Sequence, residues 1–176
     1  MIKNILITGG AGYIGAHVTE ILLKKNRNVF LIDNLSTGHR KLINSKAKFF
    51  KIDIKNKQKV KKIIKKYKID SIIHLAANLI IGEGQRKPNK YYKNNVLGTK
   101  KLLDACKGTT IKNFIFSSTA AIYKEGQYKV SENSIIKPKS IYGQTKIKAE
   151  KIIKNFAKKN KINYGILRYF NIAGAS

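Results

Sequence analysis

Three side chains in the second half of the sequence have the types and the spacing that proton transfer requires. Tyr142 and Lys146 lie four residues apart in a segment with helical periodicity, which places them on one face of a helix. An ammonium beside a phenol favours the phenolate, so we expect Lys146 to lower the pKa of Tyr142 from its ordinary value of about 10. Thr119 ends an apolar run and could hydrogen-bond the substrate oxygen that loses its proton. Together they predict proton abstraction from an alcohol whose carbon passes a hydride to a nicotinamide ring.

The start of the chain predicts a binding site for that nicotinamide cofactor. Gly9, Gly12 and Gly15 are spaced three apart, between a short apolar run and a segment with helical periodicity. Glycines at this spacing allow a sharp turn, the approach of a pyrophosphate to the backbone, and close packing of helix on strand. Asp33 ends the next apolar run, where a carboxylate can accept from an adenosine ribose 2′-hydroxyl. The alternative is a glycine-rich turn that only connects a strand to a helix.

Apolar runs and helical periodicities alternate along the chain and predict the scaffold for these residues. Strands are predicted just before Gly9 and at 29–33, 47–53, 71–77, 113–119 and 164–170, with helices after Gly15 and at 57–67, 89–107 and 142–160. Alternation of this kind requires crossover connections and therefore a parallel sheet covered by helices on both faces. We predict an α/β fold, a doubly wound Rossmann sheet of order 3-2-1-4-5-6, with the ligand at the carboxyl ends of its strands. Residues 1–176 are expected to form one NAD-binding domain.

The composition is strongly basic, with 37 Lys and Arg against 9 Asp and Glu and a net charge of +28. Only four basic residues are arginines and the lysines occur in every element, so we expect no specific nucleic-acid partner. The lysines of 57–67 surround one apolar stripe and are interpreted as its solvated face. Cys106 and His74 are interpreted as buried packing residues, and no Cys/His cluster has metal-ligand spacing. No segment is long and apolar enough for a membrane span, so a cytoplasmic protein is expected.

Seven motifs occur in order along the chain. They are TGGAGYIG at 8–15, DNL at 33–35, HLAA at 74–77, NNV at 94–96, SSTAAIY at 117–123, YGQTK at 142–146 and RYFN at 168–171. With these motifs the sequence resembles the extended short-chain dehydrogenase/reductase superfamily. Segments 81–84 and 87–92 resemble in particular its UDP-glucose 4-epimerase family.

The resemblance implies a reaction and a set of site residues. Tyr142 would take the proton of a UDP-sugar 4-hydroxyl while NAD receives the C4 hydride, and Lys146 would also hold the nicotinamide ribose. The catalytic residues would be Tyr142, Lys146 and Thr119, and the substrate would contact Thr119, Tyr142 and Asn171. The cofactor-binding residues would be Gly9, Gly12, Tyr13, Ile14, Gly15, Asp33, Asn34, Asp53, Ile54, Ala76, Asn95, Ser117, Tyr142, Lys146 and Tyr169.

The resemblance also implies an assembly. The helices predicted at 89–107 and 142–160 would pair across a two-fold axis, and their apolar residues, including Leu103 and Ile153, could serve that face. A homodimer is therefore expected, although self-repulsion at +28 opposes association at low salt.

Some positions depart from the family pattern. Thr119 replaces a serine but keeps the hydroxyl, and Lys124 stands where a glycine is usual. Ala120 and Ala121 lack the acidic pair of sugar dehydratases, which argues against dehydration. Family members are roughly twice as long, so we expect the C-terminal substrate domain to be missing from this chain. Two alternatives remain: another nucleotide-sugar epimerase or decarboxylase of this superfamily, and a non-catalytic NAD-binding remnant.

Overall fold

The computed structural model describes residues 4–126 and 129–174, and it contains the predicted parallel sheet. All strand pairs are parallel, and their spatial order is β3-β2-β1-β4-β5-β6. The predicted order 3-2-1-4-5-6 is therefore confirmed. The strands are β1 (Asn4–Thr8), β2 (Asn28–Asp33), β3 (Lys48–Lys51), β4 (Ser71–His74), β5 (Asn113–Thr119) and β6 (Asn163–Tyr169).

Helices connect the consecutive strands, except for β2 and β3, and cover both faces of the sheet. They are α1 (Tyr13–Lys24), α2 (Lys57–Lys66), α3 (Ile81–Arg86), α4 (Pro88–Tyr91), α5 (Thr99–Cys106) and α6 (Ile141–Asn160), with a π-helical segment, Tyr92–Gly98, between α4 and α5. Short 3₁₀ turns lie at Arg40–Leu42 and Ala120–Ile122. The second turn belongs to the long loop between β5 and α6, which also contains an isolated bridge between Tyr123 and Ile136.

Alternation along β1 shows how the sheet divides the core into two layers. Leu6 packs on one side, in a buried cluster with residues of α2, α5 and α6. Ile5 and Ile7 point to the other side and pack with partly buried residues of α1. Both sides of the strand are buried because helices cover both faces, which is why the strand sequence is continuously apolar.

Helix α2 confirms the interpretation of its lysines as a solvated face. Val60, Ile63 and Ile64 are buried in the core, while most of the lysines around them are exposed. The Asn56 side chain caps the helix by accepting from the Lys59 backbone N–H at 3.1 Å. The helix is held by its apolar stripe and its cap, since no lysine of the helix contributes to the core.

The prediction of one long helix at 89–107 is wrong in the first half of that range. The π-helical segment interrupts it, and the buried side chains there are Tyr91 and Asn95, not the predicted Tyr92 and Val96. A π-helix closes its hydrogen bonds over one more residue than an α-helix, so a period of 3.6 residues counted across it loses register. The predicted inward residues after the segment, Leu102, Leu103 and Cys106, are buried as expected.

The two residues proposed for a dimer face lie inside the protomer. Leu103 is 2% exposed and Ile153 is 0% exposed, and both belong to the core cluster on the α6 side of the sheet. They cannot contact a second copy, so this part of the prediction is wrong. Among the described residues, no helix has the length and hydropathy to span a membrane, and no group of His, Cys, Asp or Glu is arranged to hold a metal ion.

Candidate active site

A cavity of about 890 Å³ lies at the carboxyl ends of the central strands. Its walls come from the glycine-rich turn after β1, the end of β5, the start of α6 and the segment after β6. This is the edge where a doubly wound sheet binds its ligand. The predicted site residues that line it are Gly9, Gly12, Tyr13, Ile14, Gly15, Ser117, Thr119, Tyr142, Lys146, Tyr169 and Asn171.

The glycine-rich turn has the geometry that the sequence predicts for phosphate binding. Gly9 has a φ of +75°, and a Cβ there would lie 2.7 Å from the Ala76 nitrogen. Helix α1 begins directly after Gly12, which provides no side-chain cap for its first N–H groups. Backbone N–H groups at such a helix start bind phosphate oxygens, so the turn fits the pyrophosphate of a dinucleotide.

A smaller pocket of about 110 Å³ continues from the same turn towards β2. The Asp33 carboxylate lines it and is fixed by two backbone donors, Ala11 N–H at 3.1 Å and Leu35 N–H at 2.8 Å. A carboxylate held in this way can accept from a ribose hydroxyl. Asn34, Ile54 and Ala76 line the same pocket, as expected for the adenosine end of a cofactor.

Asp53, a predicted cofactor-binding residue, lines neither cavity. One of its oxygens accepts from the Asn34 side-chain amide at 3.2 Å, and the other accepts from the Lys55 backbone N–H at 2.8 Å. The Lys55 ammonium lies 3.3 Å from the same carboxylate. Asp53 therefore holds the Asn34 side chain in place beside the pocket.

Lys146 is buried beneath the cavity floor. Its ammonium donates to the Ser117 carbonyl oxygen at 2.7 Å and lies 5.7 Å from the centre of the Tyr142 ring and 4.8 Å from that of Phe116. The residue is 3% exposed, and this burial lowers the pKa of the ammonium to about 7, while Glu150 acts in the opposite direction. The structure thus brings Lys146 beside Tyr142 on one face of α6, as the spacing predicts.

The expected effect of Lys146 on the tyrosine pKa is wrong in this arrangement. Burial raises the pKa of Tyr142, and a hydrogen bond with the Thr119 side chain is what lowers it. The Thr119 hydroxyl oxygen accepts from the Ala121 N–H at 3.1 Å, which leaves its own proton for the phenol oxygen. A donor of this kind stabilises a phenolate. Thr119 therefore supplies the interaction that the sequence analysis assigned to Lys146.

Asn95 lies behind the cavity wall, so it is not among the lining residues. Its amide pairs with the backbone of Asn78, accepting from the N–H at 2.8 Å and donating to the carbonyl oxygen at 2.9 Å. It also donates to the Thr145 hydroxyl at 3.1 Å. Asn95 thus holds the loop after β4 and ties it to α6, the helix that carries Tyr142.

His74 belongs to a buried polar chain that connects β1 and β4 to helix α5. Its Nδ1 lies 2.7 Å from the Thr8 hydroxyl and its Nε2 lies 2.9 Å from the Thr99 hydroxyl. The Thr99 hydroxyl donates to the Asn95 carbonyl oxygen at 2.7 Å, so Nε2 must carry the imidazole proton and donate to Thr99. Burial, with a smaller effect of Lys146, lowers the pKa of His74 to about 3, and the ring stays neutral.

Several lining residues were missed by sequence reasoning. Asn78 lines the pocket beside Asp33, and Leu79 and Ile81 line the large cavity with more than half of each side chain exposed. Exposed apolar residues directly after a buried strand were the available signal, because loops seldom expose such side chains without a ligand or partner. Phe170 also lines the cavity and is 72% exposed.

Comparison with known proteins identifies the family of this chain. The model of the NAD dependent epimerase/dehydratase family matches residues 5–176, and the chain belongs to that family. Among its relatives, the UDP-glucose 4-epimerase of Lactobacillus helveticus is 43% identical over 98% of this chain and 53% of its own length. That of Halalkalibacterium halodurans is 41% identical over 97% of this chain and 51% of its own length.

Solved structures agree with the sequence relatives. UDP-glucose 4-epimerase from Brucella ovis, in complex with NAD, superposes with a TM-score of 0.95 at 38% identity, covering 99% of this chain and 54% of that one. The Thermotoga maritima enzyme with UDP-glucose gives a TM-score of 0.91 at 34% identity, over 97% of this chain and 56% of that one. The chain spans about half the length of the relatives it matches.

Proposed function

We propose that this chain carries the NAD site and the catalytic residues of a UDP-glucose 4-epimerase. The observation that supports the proposal most directly is that one cavity contains both the glycine-rich turn and the Thr119, Tyr142 and Lys146 side chains. A nucleotide site and a proton-transfer site that share one wall fit a reaction in which an alcohol is oxidised and reduced again without leaving. The similarity to UDP-glucose 4-epimerases supports the same conclusion.

The chain's own residues would hold the cofactor along the carboxyl edge of the sheet. Gly12 and the start of α1 would bind the pyrophosphate, and Asp33 would accept from the adenosine ribose. The Lys146 ammonium would reach the nicotinamide ribose, and Tyr169 lines the cavity beside it. When bound, NAD supplies a reversible hydride acceptor for the sugar C4.

Proton transfer would take place at the Tyr142 phenol oxygen. As a phenolate, Tyr142 accepts the proton of the sugar 4-hydroxyl, and it returns the proton when the carbonyl is reduced. Thr119 donates to the phenol oxygen and favours the ionised form, while burial favours the neutral form. Asn171 lines the same cavity and would contact the phosphates of the UDP-sugar, as the resemblance implies.

The proposal also concerns how much of the reaction this chain performs alone. The residues that bind NAD and move the proton lie within it, whereas the relatives contain about as many residues again. Binding energy from the non-reacting part of a substrate orients its reacting carbon, so its loss lowers turnover as well as affinity. We therefore expect measurable NAD⁺ binding and very slow conversion of UDP-sugars.

The test is a coupled assay of UDP-galactose conversion to UDP-glucose, together with calorimetric titration of NAD⁺. Tyr142→Phe is the control, because it removes the proton acceptor and keeps the ring. NAD⁺ binding by both proteins and turnover by neither is the expected result. Absence of NAD⁺ binding would overturn the proposed function. Turnover within about tenfold of a full-length relative, lost in Tyr142→Phe, would show that the chain supplies the substrate contacts itself.

A further inference from the structure

An ion pair that the sequence analysis did not identify lies behind the catalytic residues. Glu150 is 0% exposed and accepts twice from the Arg168 guanidinium, from Nη2 at 2.8 Å and from Nε at 3.1 Å. The Ser118 hydroxyl donates to the same carboxylate at 2.5 Å. Both of these partners are side chains, of which Ser118 is buried and Arg168 is 14% exposed.

Each member of this cluster lies beside a site residue, either next to it in the chain or one helical turn away. Ser118 lies between Ser117, whose carbonyl oxygen accepts from Lys146, and Thr119, whose side chain lowers the pKa of Tyr142. Glu150 follows Lys146 by one turn of α6, and Arg168 precedes a cavity-lining tyrosine on β6. The ion pair thus connects β5, α6 and β6 at the level where all three contribute to the cavity.

Arg168 also connects these elements to the long loop between β5 and α6. Its Nη1 donates to the Tyr123 hydroxyl at 3.0 Å and to the Glu132 carbonyl oxygen at 3.2 Å. The guanidinium carbon lies 5.3 Å from the centre of the Tyr123 ring. One guanidinium therefore bonds the helix with two of its nitrogens and the loop with the third.

We propose that Glu150 and Arg168 are positioning residues that fix Thr119, Tyr142 and Lys146 for proton transfer. The inference rests on the proposed function of those three residues. Stability alone is a weak reason for such a pair, because apolar residues of similar volume often replace buried ion pairs without loss of stability. What apolar side chains cannot replace is the directional bonding to Ser118 and the negative charge beside Lys146.

The charge of Glu150 acts on Lys146 because the two residues occupy one face of α6. Burial disfavours the Lys146 ammonium, and the Glu150 carboxylate is the charge that favours it. The other titratable groups near Lys146 are Tyr142 on α6, neutral His74 on β4, and Arg168 on β6, which is already paired with Glu150. Removal of the carboxylate should therefore leave Lys146 less able to keep its proton.

The test replaces both partners, as Glu150→Met/Arg168→Met, so that no buried charge is left unpaired. Titration of the Lys146 amine is followed by NMR with isotope-labelled lysine, and its signal is identified as the one missing in Lys146→Met. We expect the amine to titrate at least about one pH unit lower in the double variant, as for a charge that loses an opposite neighbour. NAD⁺ affinity at pH 8 should fall at least about fivefold. An unchanged titration and unchanged affinity in a folded double variant would overturn the inference.

Two further variants make the test specific. Tyr123→Phe loses the loop's side-chain bond to Arg168 and keeps the ion pair, so Lys146 should titrate as in the wild type. A shift in Tyr123→Phe equal to that in the double variant would assign the effect to the loop and contradict the proposal. If the double variant does not fold, Ser118→Ala removes one donor to Glu150 and should shift Lys146 in the opposite direction, since a less satisfied carboxylate attracts it more. No shift in that variant would also contradict the proposal. The Lys146 titration needs neither NAD⁺ nor turnover, so a failure of the proposed function is detected separately.

Discussion

Substitution of Gly15 by alanine tests the geometry of the cofactor turn more directly than any other change. A Cβ at this position would lie 2.4 Å from the Gly9 carbonyl oxygen and 2.8 Å from the Gly10 Cα. Ordinary contact begins at 3.4 Å, so the turn and the helix must separate by about 1 Å. The obstructing atoms are backbone, which cannot move aside as a side chain does. The turn that would bind the pyrophosphate is the part that must yield.

The expected magnitude follows from the size of this clash. Overpacking of a close contact costs about 1–3 kcal/mol, and for a chain of this size each kcal/mol lowers the Tm by about 2–4 °C. We expect Gly15→Ala to lower the Tm by about 2–12 °C and NAD⁺ affinity by at least tenfold. The matched control is Gly82→Ala in α3, where a Cβ would meet nothing within 4 Å. Because alanine favours a helix over glycine by about 1 kcal/mol, this control should keep or raise the Tm.

Differential scanning calorimetry with and without NAD⁺ measures both effects in one experiment. Cofactor stabilisation should be large for the wild type and for Gly82→Ala, and small for Gly15→Ala. If Gly15→Ala melts within about 1 °C of the wild type and binds NAD⁺ equally well, the close approach of α1 to the turn does not constrain the site.

Three other predictions concern specificity, pH and assembly. Calorimetry should show tighter binding of NAD⁺ than of NADP⁺, because the Asp33 carboxylate would repel a 2′-phosphate. Asp33→Ala should reduce the difference between the two affinities. Equal affinities in the wild type would contradict the assignment of Asp33 to the adenosine ribose. Burial lowers the pKa of His74 to about 3 in the folded chain, whereas in the unfolded chain His74 has its ordinary pKa of about 6.5. Below about pH 6.5 the unfolded chain therefore binds a proton on His74 that the folded chain does not bind. The free energy of unfolding, measured with urea, should therefore fall by about 2 kcal/mol between pH 7 and pH 5. The control is His39→Asn, which removes an exposed histidine and should show the same fall. A free energy of unfolding that does not change with pH would contradict a neutral His74. Light scattering at about 0.15 M salt should show a homodimer that Leu97→Lys dissociates, because Leu97 is 50% exposed on segment 89–107, which the resemblance assigns to the dimer; a monomeric wild type would refute the dimer.

The fold could be predicted because its signals are local. The apolar run before Gly9, the glycine spacing and the run ending at Asp33 define the first strand, turn, helix and second strand without knowledge of any distant contact. Strand order then followed from the known handedness and topology of alternating strands and helices. The prediction of which side chains are buried in the first half of the helix at 89–107 was wrong. The π-helical segment there contains Asn95, whose partners lie far along the chain, in the loop after β4 and in α6.

The spatial grouping of the candidate site residues could be predicted from the sequence, but their electrostatics could not. Thr119, Tyr142 and Lys146 lie in one cavity, as their spacing indicated. The direction of the tyrosine pKa depends on how deeply the phenol is buried, and residue spacing does not encode that depth. Glu150 and Arg168 lie 18 residues apart and become neighbours only when β6 pairs with β5, so periodicity could not reveal their contact.

The π-helical segment Tyr92–Gly98 divides one continuous helix into two parts with different phases. Upstream, the buried Tyr91 donates to the Ile80 carbonyl oxygen and lies against α3; downstream, Leu102 and Cys106 fill the core beside α2. A regular α-helix turns about 100° per residue, so removal of a single residue from the segment would rotate one part about 100° against the other. The helix would then be more regular, but Tyr91 could not contact α3 while Leu102 packs in the core beside α2. In this chain, single side chains along the helix can therefore be exchanged more readily than the length of the helix can be changed.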